Sequence, residues 1–348
     1  MSKRLRSAWL AAFALALAGA LIAASGVGAK STAEVKQIGY ASPEKPTDYG
    51  WNQQGYESAQ KAAKAAGATV IAATGIGYGN PEPTLRRLAQ RGADLIIAQA
   101  SGYNTAAPKV AQQLKVPTLT YDQPKNLKAG VVADIETSAQ QGAYLAGVLA
   151  AQVTKTGTLG IVVSAEDTNW YKQAGGFLAG ARSVNKGVKF RYARIGKDTY
   201  ADAAGGKRVT QLVIAAGADV VFGMGDGSSF GMLQAVETAK PPSGASKVYF
   251  IDVIGNKLKI DKKGVLLSSV LWDFTQIFTQ AIKDVESGSF GQQNYNLTVA
   301  NGLGLLKTNK APASAWAKVA AAQKGVAGGS IKIPVTPAEG AVKKLCKC

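Results

Sequence analysis

Trp51 and Asn52 stand side by side in the run Asp48-Tyr49-Gly50-Trp51-Asn52-Gln53 and supply two kinds of recognition chemistry. An indole face stacks on a flat ring, a contact worth about 0.5–1.5 kcal/mol beyond the area it buries. An asparagine amide both donates and accepts, which suits the edge of a heterocyclic base. Each has a plainer alternative: a half-buried surface tryptophan, and an asparagine that caps the helix after it. Asp122 and Asp252 add carboxyl groups able to accept from ring or exocyclic N–H groups; a strand-end aspartate such as Asp122 can equally begin a turn. Tyr200 is either a second flat ring or an ordinary loop tyrosine. Gly225 and Gly227 let a backbone approach a ligand closely and also suit a tight strand-to-helix turn.

Other chemistries are poorly served. The chain has no histidine, which removes Ser-His-Asp and Cys-His catalysis and histidine metal sites. Its two cysteines, Cys346 and Cys348, sit at the extreme C-terminus, where they form a local disulfide, an intermolecular link or a free dithiol. Gly223-Met224-Gly225-Asp226-Gly227 follows a strand, but its spacing is not G-x-G-x-x-G, and there is no P-loop. Aspartates and lysines could still do acid–base work in a secreted enzyme.

These residues gain meaning from the elements that carry them. Strands are predicted at 35–42, 68–74, 93–100, 116–122 and 129–135, with helices at 55–66, 83–91 and 105–114 between them. A second set has strands at 158–164, 188–195, 218–224 and 247–254 and helices at 170–184, 205–216 and 229–239. The strands are continuous apolar runs, as in parallel sheets covered on both faces by helices. The two sets echo each other: Arg91-Gly92-Ala93-Asp94 and Ala216-Gly217-Ala218-Asp219 each end a helix and open a buried strand. The tail reads as a strand at 265–273, a helix at 274–286, an extended stretch at 293–306, a helix at 314–324 and a loose basic end. In such sheets ligands lie at the carboxyl ends of strands. Asp48 to Asn52, Asp122, Tyr200, Gly225 to Gly227 and Asp252 all fall at or near such ends.

Lys3, Arg4 and Arg6, the apolar run 8–24 and the small residues Val27-Gly28-Ala29 read as a secretory signal peptide, residues 1–29. Its removal leaves 319 residues, enough for two lobes, and lowers the formal charge from +18 to +15. The basic residues are scattered, which fits a solvated surface rather than a nucleic-acid site. With no cysteine at the cleavage site to take a lipid, the expected location is the periplasm.

Three segments carry a family resemblance: Asp48 to Gln53; Gly142-Ala143-Tyr144-Leu145-Ala146-Gly147 running into Thr154-Lys155-Thr156-Gly157; and Gly176-Phe177-Leu178-Ala179-Gly180-Ala181 followed by Tyr200-Ala201-Asp202 and Gly217-Ala218-Asp219. In order and spacing, over roughly Val35 to Leu306, the chain resembles the basic membrane protein (BMP) family, ABC-importer substrate-binding proteins related to purine-nucleoside receptors. The resemblance implies an α/β, two-lobe type I periplasmic-binding-protein fold, each lobe a mainly parallel sheet flanked by helices. Residues 30–154 and about 256–296 would form the first lobe, 155–255 and about 297–335 the second, and 336–348 a tail. It implies a monomer without cofactor, metal or catalytic residue that binds a purine nucleoside or nucleobase and delivers it to an ABC permease in the inner membrane. A sugar or signal molecule is the alternative ligand. Trp51 and Tyr200 would sandwich the base, Asp122 read its edge and Asp252 hold ribose hydroxyls. Trp272 stands where the family usually carries a sugar-holding lysine, which suits a flat free base at least as well as a nucleoside. Trp51→Ala is expected to weaken binding about tenfold or more with little change in the melting temperature of the empty protein.

Overall fold

The computed structural model describes residues 34–348. The segment read as a signal peptide lies outside the described residues. From the N-terminal side the elements are β1 (Gln37–Ser42), α1 (Trp51–Ala65), β2 (Thr69–Thr74), α2 (Glu82–Gln90), β3 (Leu95–Ala98), α3 (Ala106–Leu114), β4 (Thr118–Tyr121) and β5 (Val132–Thr137). There follow α4 (Ala139–Val153), β6 (Thr158–Val163), α5 (Thr168–Val184), β7 (Lys189–Arg194), α6 (Ala203–Ala215), β8 (Val220–Met224), α7 (Ser228–Glu237) and β9 (Tyr249–Ile254). The tail adds β10 (Leu266–Trp272), α8 (Thr275–Ser287), β11 (Tyr295–Leu297), β12 (Leu303–Leu305), α9 (Ala313–Ala327) and α10 (Glu339–Cys346).

Two six-stranded sheets result, ordered β11-β5-β4-β3-β1-β2 and β12-β10-β9-β8-β6-β7. Every pairing is parallel except β10 with β12. The inner strands β3, β6 and β8 are buried along their whole length, as their unbroken apolar sequences require, whereas the edge strand β2 is not. This is the two-lobe α/β architecture expected from the sequence.

The internal echo has a structural cause. The Asp94 Oδ2 accepts from the Lys36 and Gln37 amides at the start of β1, both at 2.9 Å. The Asp219 carboxyl, 2% exposed, accepts from the Lys155 amide at 2.6 Å, the Thr156 amide at 3.1 Å and the Thr154 hydroxyl at 2.5 Å ahead of β6. Each lobe thus uses a carboxyl at the mouth of one strand to bind the amides that lead into its neighbour. The other family-like segments do packing work as well. A Cβ added to Gly147 would lie 2.1 Å from the Phe177 carbonyl oxygen, and one added to Gly180 would lie 2.0 Å from that of Tyr144. Glycine is required there because α4 and α5 touch backbone to backbone.

The chain passes between lobes three times: at β5 to α4, at β10 to α8 and at β11 to β12. This corrects the expected lobe boundaries. The resemblance puts residues 139–153 in the first lobe, yet α4 packs on α5, α9, β10 and β12. It puts residues 266–272 there too, yet β10 is hydrogen-bonded between β9 and β12. Residues 275–297 do return to the first lobe, α8 packing on α1 and β11 pairing with β5. The tail expected to be loose forms α10, which rests on α5 and β7. Glu339 anchors it to β7, 3.2 Å from Arg194 and accepting from the Tyr192 hydroxyl at 3.1 Å. Cys346 and Cys348 are disulfide-bonded to each other. Among the described residues no helix is long and apolar enough to cross a membrane, and no group of three or more metal-ligating side chains occurs.

Candidate functional site

Each sheet reverses its strand order once, between β1 and β3 in the first and between β6 and β8 in the second. At such a reversal the loops leaving neighbouring strands diverge and open a crevice at the carboxyl edge. Here the two crevices face each other and enclose a cavity of about 270 Å³. The first lobe lines it with Trp51 after β1, Tyr78 after β2, Ala100 to Gly102 after β3 and Asp122 after β4. The second contributes Asp167, Asn169 and Trp170 after β6, Tyr200 after β7, Asp226 after β8, and Ile254 and Trp272 at the ends of β9 and β10.

The lobes meet around this space. Asn169 Nδ2 donates to Asp122 Oδ1 across it at 3.2 Å. Tyr49 and Phe230 pack edge to face at 6.5 Å, and a Cβ on Gly255 would strike the Tyr49 carbonyl oxygen at 2.1 Å. Three non-glycine residues at the cleft hold left-handed backbone: Tyr49 (φ 51°), Asp122 (φ 58°) and Ile254 (φ 71°). For a β-branched residue such as Ile254 that conformation is strained, and strain of this sort collects at functional sites.

Trp51 is the best braced of the lining rings. Its Nε1–H donates to the Gln99 carbonyl at 2.9 Å. Tyr121, Trp272 and Phe274 meet it edge to face at 5.0, 6.1 and 5.5 Å. Gln99, wholly buried, accepts from the Tyr121 hydroxyl, and only a glycine at position 55 leaves it room. On the other lobe the Tyr200 hydroxyl donates to Asp167 Oδ2 at 3.0 Å, while Asp167 Oδ1 accepts from the Asn169 and Trp170 amides that begin α5.

Among the described residues, the lining holds three carboxyl groups and no lysine or arginine. Burial pushes the Asp167 carboxyl above its ordinary range, and the nearby Asp122 adds to the shift. Asp226 is moved furthest, to about 8, first by burial and then by the charge of Asp48, with Lys257 opposing. Asp226 retains some surface as a residue, but its Oδ1 is shut off from solvent and has no partner. Neither do Asn169 Oδ1 or the indole N–H groups of Trp170 and Trp272. Buried polar atoms are normally paired. These four have no accessible surface, so a ligand reaches them only where the side chains that carry them shift.

Of the residues singled out from sequence, Trp51, Asp122, Tyr200 and Trp272 line the cavity. Asn52, Gly225, Gly227 and Asp252 do not. Asn52 is fully buried, its Nδ2 donating to Asp48 Oδ2 at 2.8 Å; it braces the carboxyl that accepts from the Gly50, Asn52 and Gln53 amides at the start of α1. Gly225 and Gly227 form a tight turn against Ser228 and Ala201. Asp252 faces inward to Lys257 at 3.0 Å, both wholly buried, and accepts from Ser229 Oγ at 2.9 Å. The residues missed were Tyr78, Ser101, Asp167, Asn169, Trp170, Asp226 and Ile254. The strand-end rule that found Asp122 also points at Asp167 to Trp170.

Comparison with known proteins agrees with this architecture. A solute-binding protein of an ABC transporter system from Conexibacter woesei superposes with a TM-score of 0.72 at 19% identity, covering 86% of this chain and 99% of that one. The nucleoside-binding protein BmpA of Lactococcus lactis is 34% identical over 142 residues, 40% of this chain and 37% of that protein. A purine-binding protein of Brucella abortus is 26% identical over 198 residues, 56% of this chain and 55% of its own length. The matched stretches therefore span about half or less of either curated relative. A family profile described as ABC transporter substrate-binding protein PnrA-like matches residues 35–306. With that match covering most of its length, the chain belongs to the Bmp family of ABC transporter substrate-binding proteins.

Proposed function

We propose that this protein captures a free purine base, in preference to a nucleoside, between its two lobes outside the cytoplasm and hands it to a membrane permease that belongs to an ABC importer. The observation that carries the reading is the lining itself: Trp51, Trp170, Tyr200 and Trp272 bring aromatic rings to the cavity, and Asp122, Asp167, Asn169 and Asp226 bring carboxyl and amide groups. A cavity without lysine or arginine is ill suited to a phosphate, which argues against nucleotides. The preference for a base follows from two displacements. Asp252, the expected ribose ligand, is engaged by Lys257, and Trp272 lines the cavity where the resemblance leads one to expect a sugar-holding lysine. Two relatives, one named as nucleoside-binding and one as purine-binding, support this ligand class.

Thermal shift with adenine, hypoxanthine, guanine, their ribonucleosides, galactose and glucose tests the reading. A ligand that binds only the folded form at about 100 times its Kd adds about 2.7 kcal/mol of stability. Bases should raise the melting temperature more than the matching nucleosides. A response confined to sugars would refute the proposal.

A further inference from the structure

Building on the base-binding reading, we propose that Asp226 sets which ring edge the protein accepts, by donating its carboxyl proton to a ring nitrogen or carbonyl oxygen of the bound base. The turn made by Gly225 and Gly227 carries Asp226 from the end of β8 across to the start of α1. Its Oδ1 comes 3.3 Å from the point where a Cβ on Gly50 would sit, and Asp48 Oδ2 lies 3.6 Å from the same point. Two carboxyl groups from opposite lobes therefore converge on one small space. The other groups that act electrostatically on Asp226 are mostly acidic or neutral: Glu44 and Tyr78 from the first lobe, Asp167 and Tyr200 from the second. Lys257 is the cation that acts on it, and its ammonium is engaged by Asp252 at 3.0 Å. Burial and this acidic company raise Asp226 to about 8, so the acid carries its proton at neutral pH. Asp226 lines the cavity, and in its protonated form the carboxyl has a hydrogen to give to a ligand held there. A donor at Asp226 calls for an acceptor on the ligand edge that meets it.

The test is calorimetry with adenine on the full chain at pH 6.5 and pH 9. In the wild type a donor that titrates near 8 is protonated in about one molecule in ten at pH 9, so the affinity should fall about tenfold. Asp226→Asn, which keeps an N–H donor that does not titrate, should bind with little pH dependence. Asp226→Ala should bind about tenfold or more weakly at pH 6.5. Circular dichroism melts show that each variant is folded at the assay temperature. Wild-type binding of adenine with Asp226→Ala equal to it in affinity and pH profile overturns the inference and leaves the base-binding reading standing. Absence of binding by adenine, hypoxanthine and guanine to the wild type overturns both.

Discussion

Trp51→Ala separates the two jobs that the structure gives this ring. Its indole is half-buried, donates to the Gln99 carbonyl and meets three aromatic rings edge on. Truncating a buried Trp or Phe costs about 3–5 kcal/mol, and partial exposure of Trp51 puts the loss near the lower end, about 3 kcal/mol. In a protein of more than 300 residues each kcal/mol moves the melting temperature by about 1.5 °C, so the empty variant should melt roughly 4–5 °C lower. The sequence alone suggests little change, because nothing in it reveals that Tyr121, Trp272 and Phe274 converge on this side chain. Trp51→Phe keeps a ring but loses the bond to Gln99, a loss of about 1 kcal/mol. Differential scanning calorimetry of the empty proteins gives the first readout. Titration with adenine below both transitions gives the second, in which Trp51→Ala should lose about tenfold or more in affinity and Trp51→Phe less. An empty Trp51→Ala protein that melts within a degree of the wild type would refute the bracing argument. Unchanged adenine affinity would remove Trp51 from the site.

Other perturbations probe the supporting structure. Lys257→Met leaves Asp252 buried without its cation and should cost about 3–5 kcal/mol in urea unfolding, while adenine affinity of the folded protein at pH 6.5 stays within about twofold; a large loss of affinity would return Asp252 to the ligand. Gly180→Ala should destabilise by at least about 1–3 kcal/mol despite better helix propensity, because its new methyl meets the Tyr144 carbonyl oxygen at 2.0 Å; a neutral result in the same assay would mean that α4 and α5 separate freely. The raised Asp226 acid gives a pH signature: stability is full below its ordinary value of 3.8 and is lost as pH rises towards about 8. Empty Asp226→Asn should therefore gain melting temperature over the wild type between pH 4 and 8 and level off above; a gap that does not change with pH would show that Asp226 ionises normally.

The parts of the site legible in the sequence are those where a strand end fixes direction. Trp51, Asp122 and Tyr200 follow β1, β4 and β7, and parallel sheets leave their loops on one edge. Trp272 reaches the cavity as the last residue of β10, which runs parallel to β9 and ends on the same edge. Asp252 shows the limit of position alone. It stands near the end of β9 as expected, but Lys257, five residues on, folds back and claims it. Asp226 lies between two glycines that a reader takes for backbone turns, and its importance comes from Asp48 and Gly50 some 175 residues earlier. The family-like blocks Gly142 to Gly147 and Gly176 to Ala181 mark helices that touch rather than ligand contacts, since close backbone approach restricts sequence as strongly as recognition does.

The three passages of the chain between lobes restrict what opening can be. Three tethers side by side resist twisting and permit a bend, as the spine of a book does. A half freed to swivel on one strap would have to search for its mate. Here each return from the open form brings Asp122 back to Asn169 and Tyr49 back to Gly255. Little orientational freedom is left for a captured molecule to freeze out, so more of the contact energy remains as affinity.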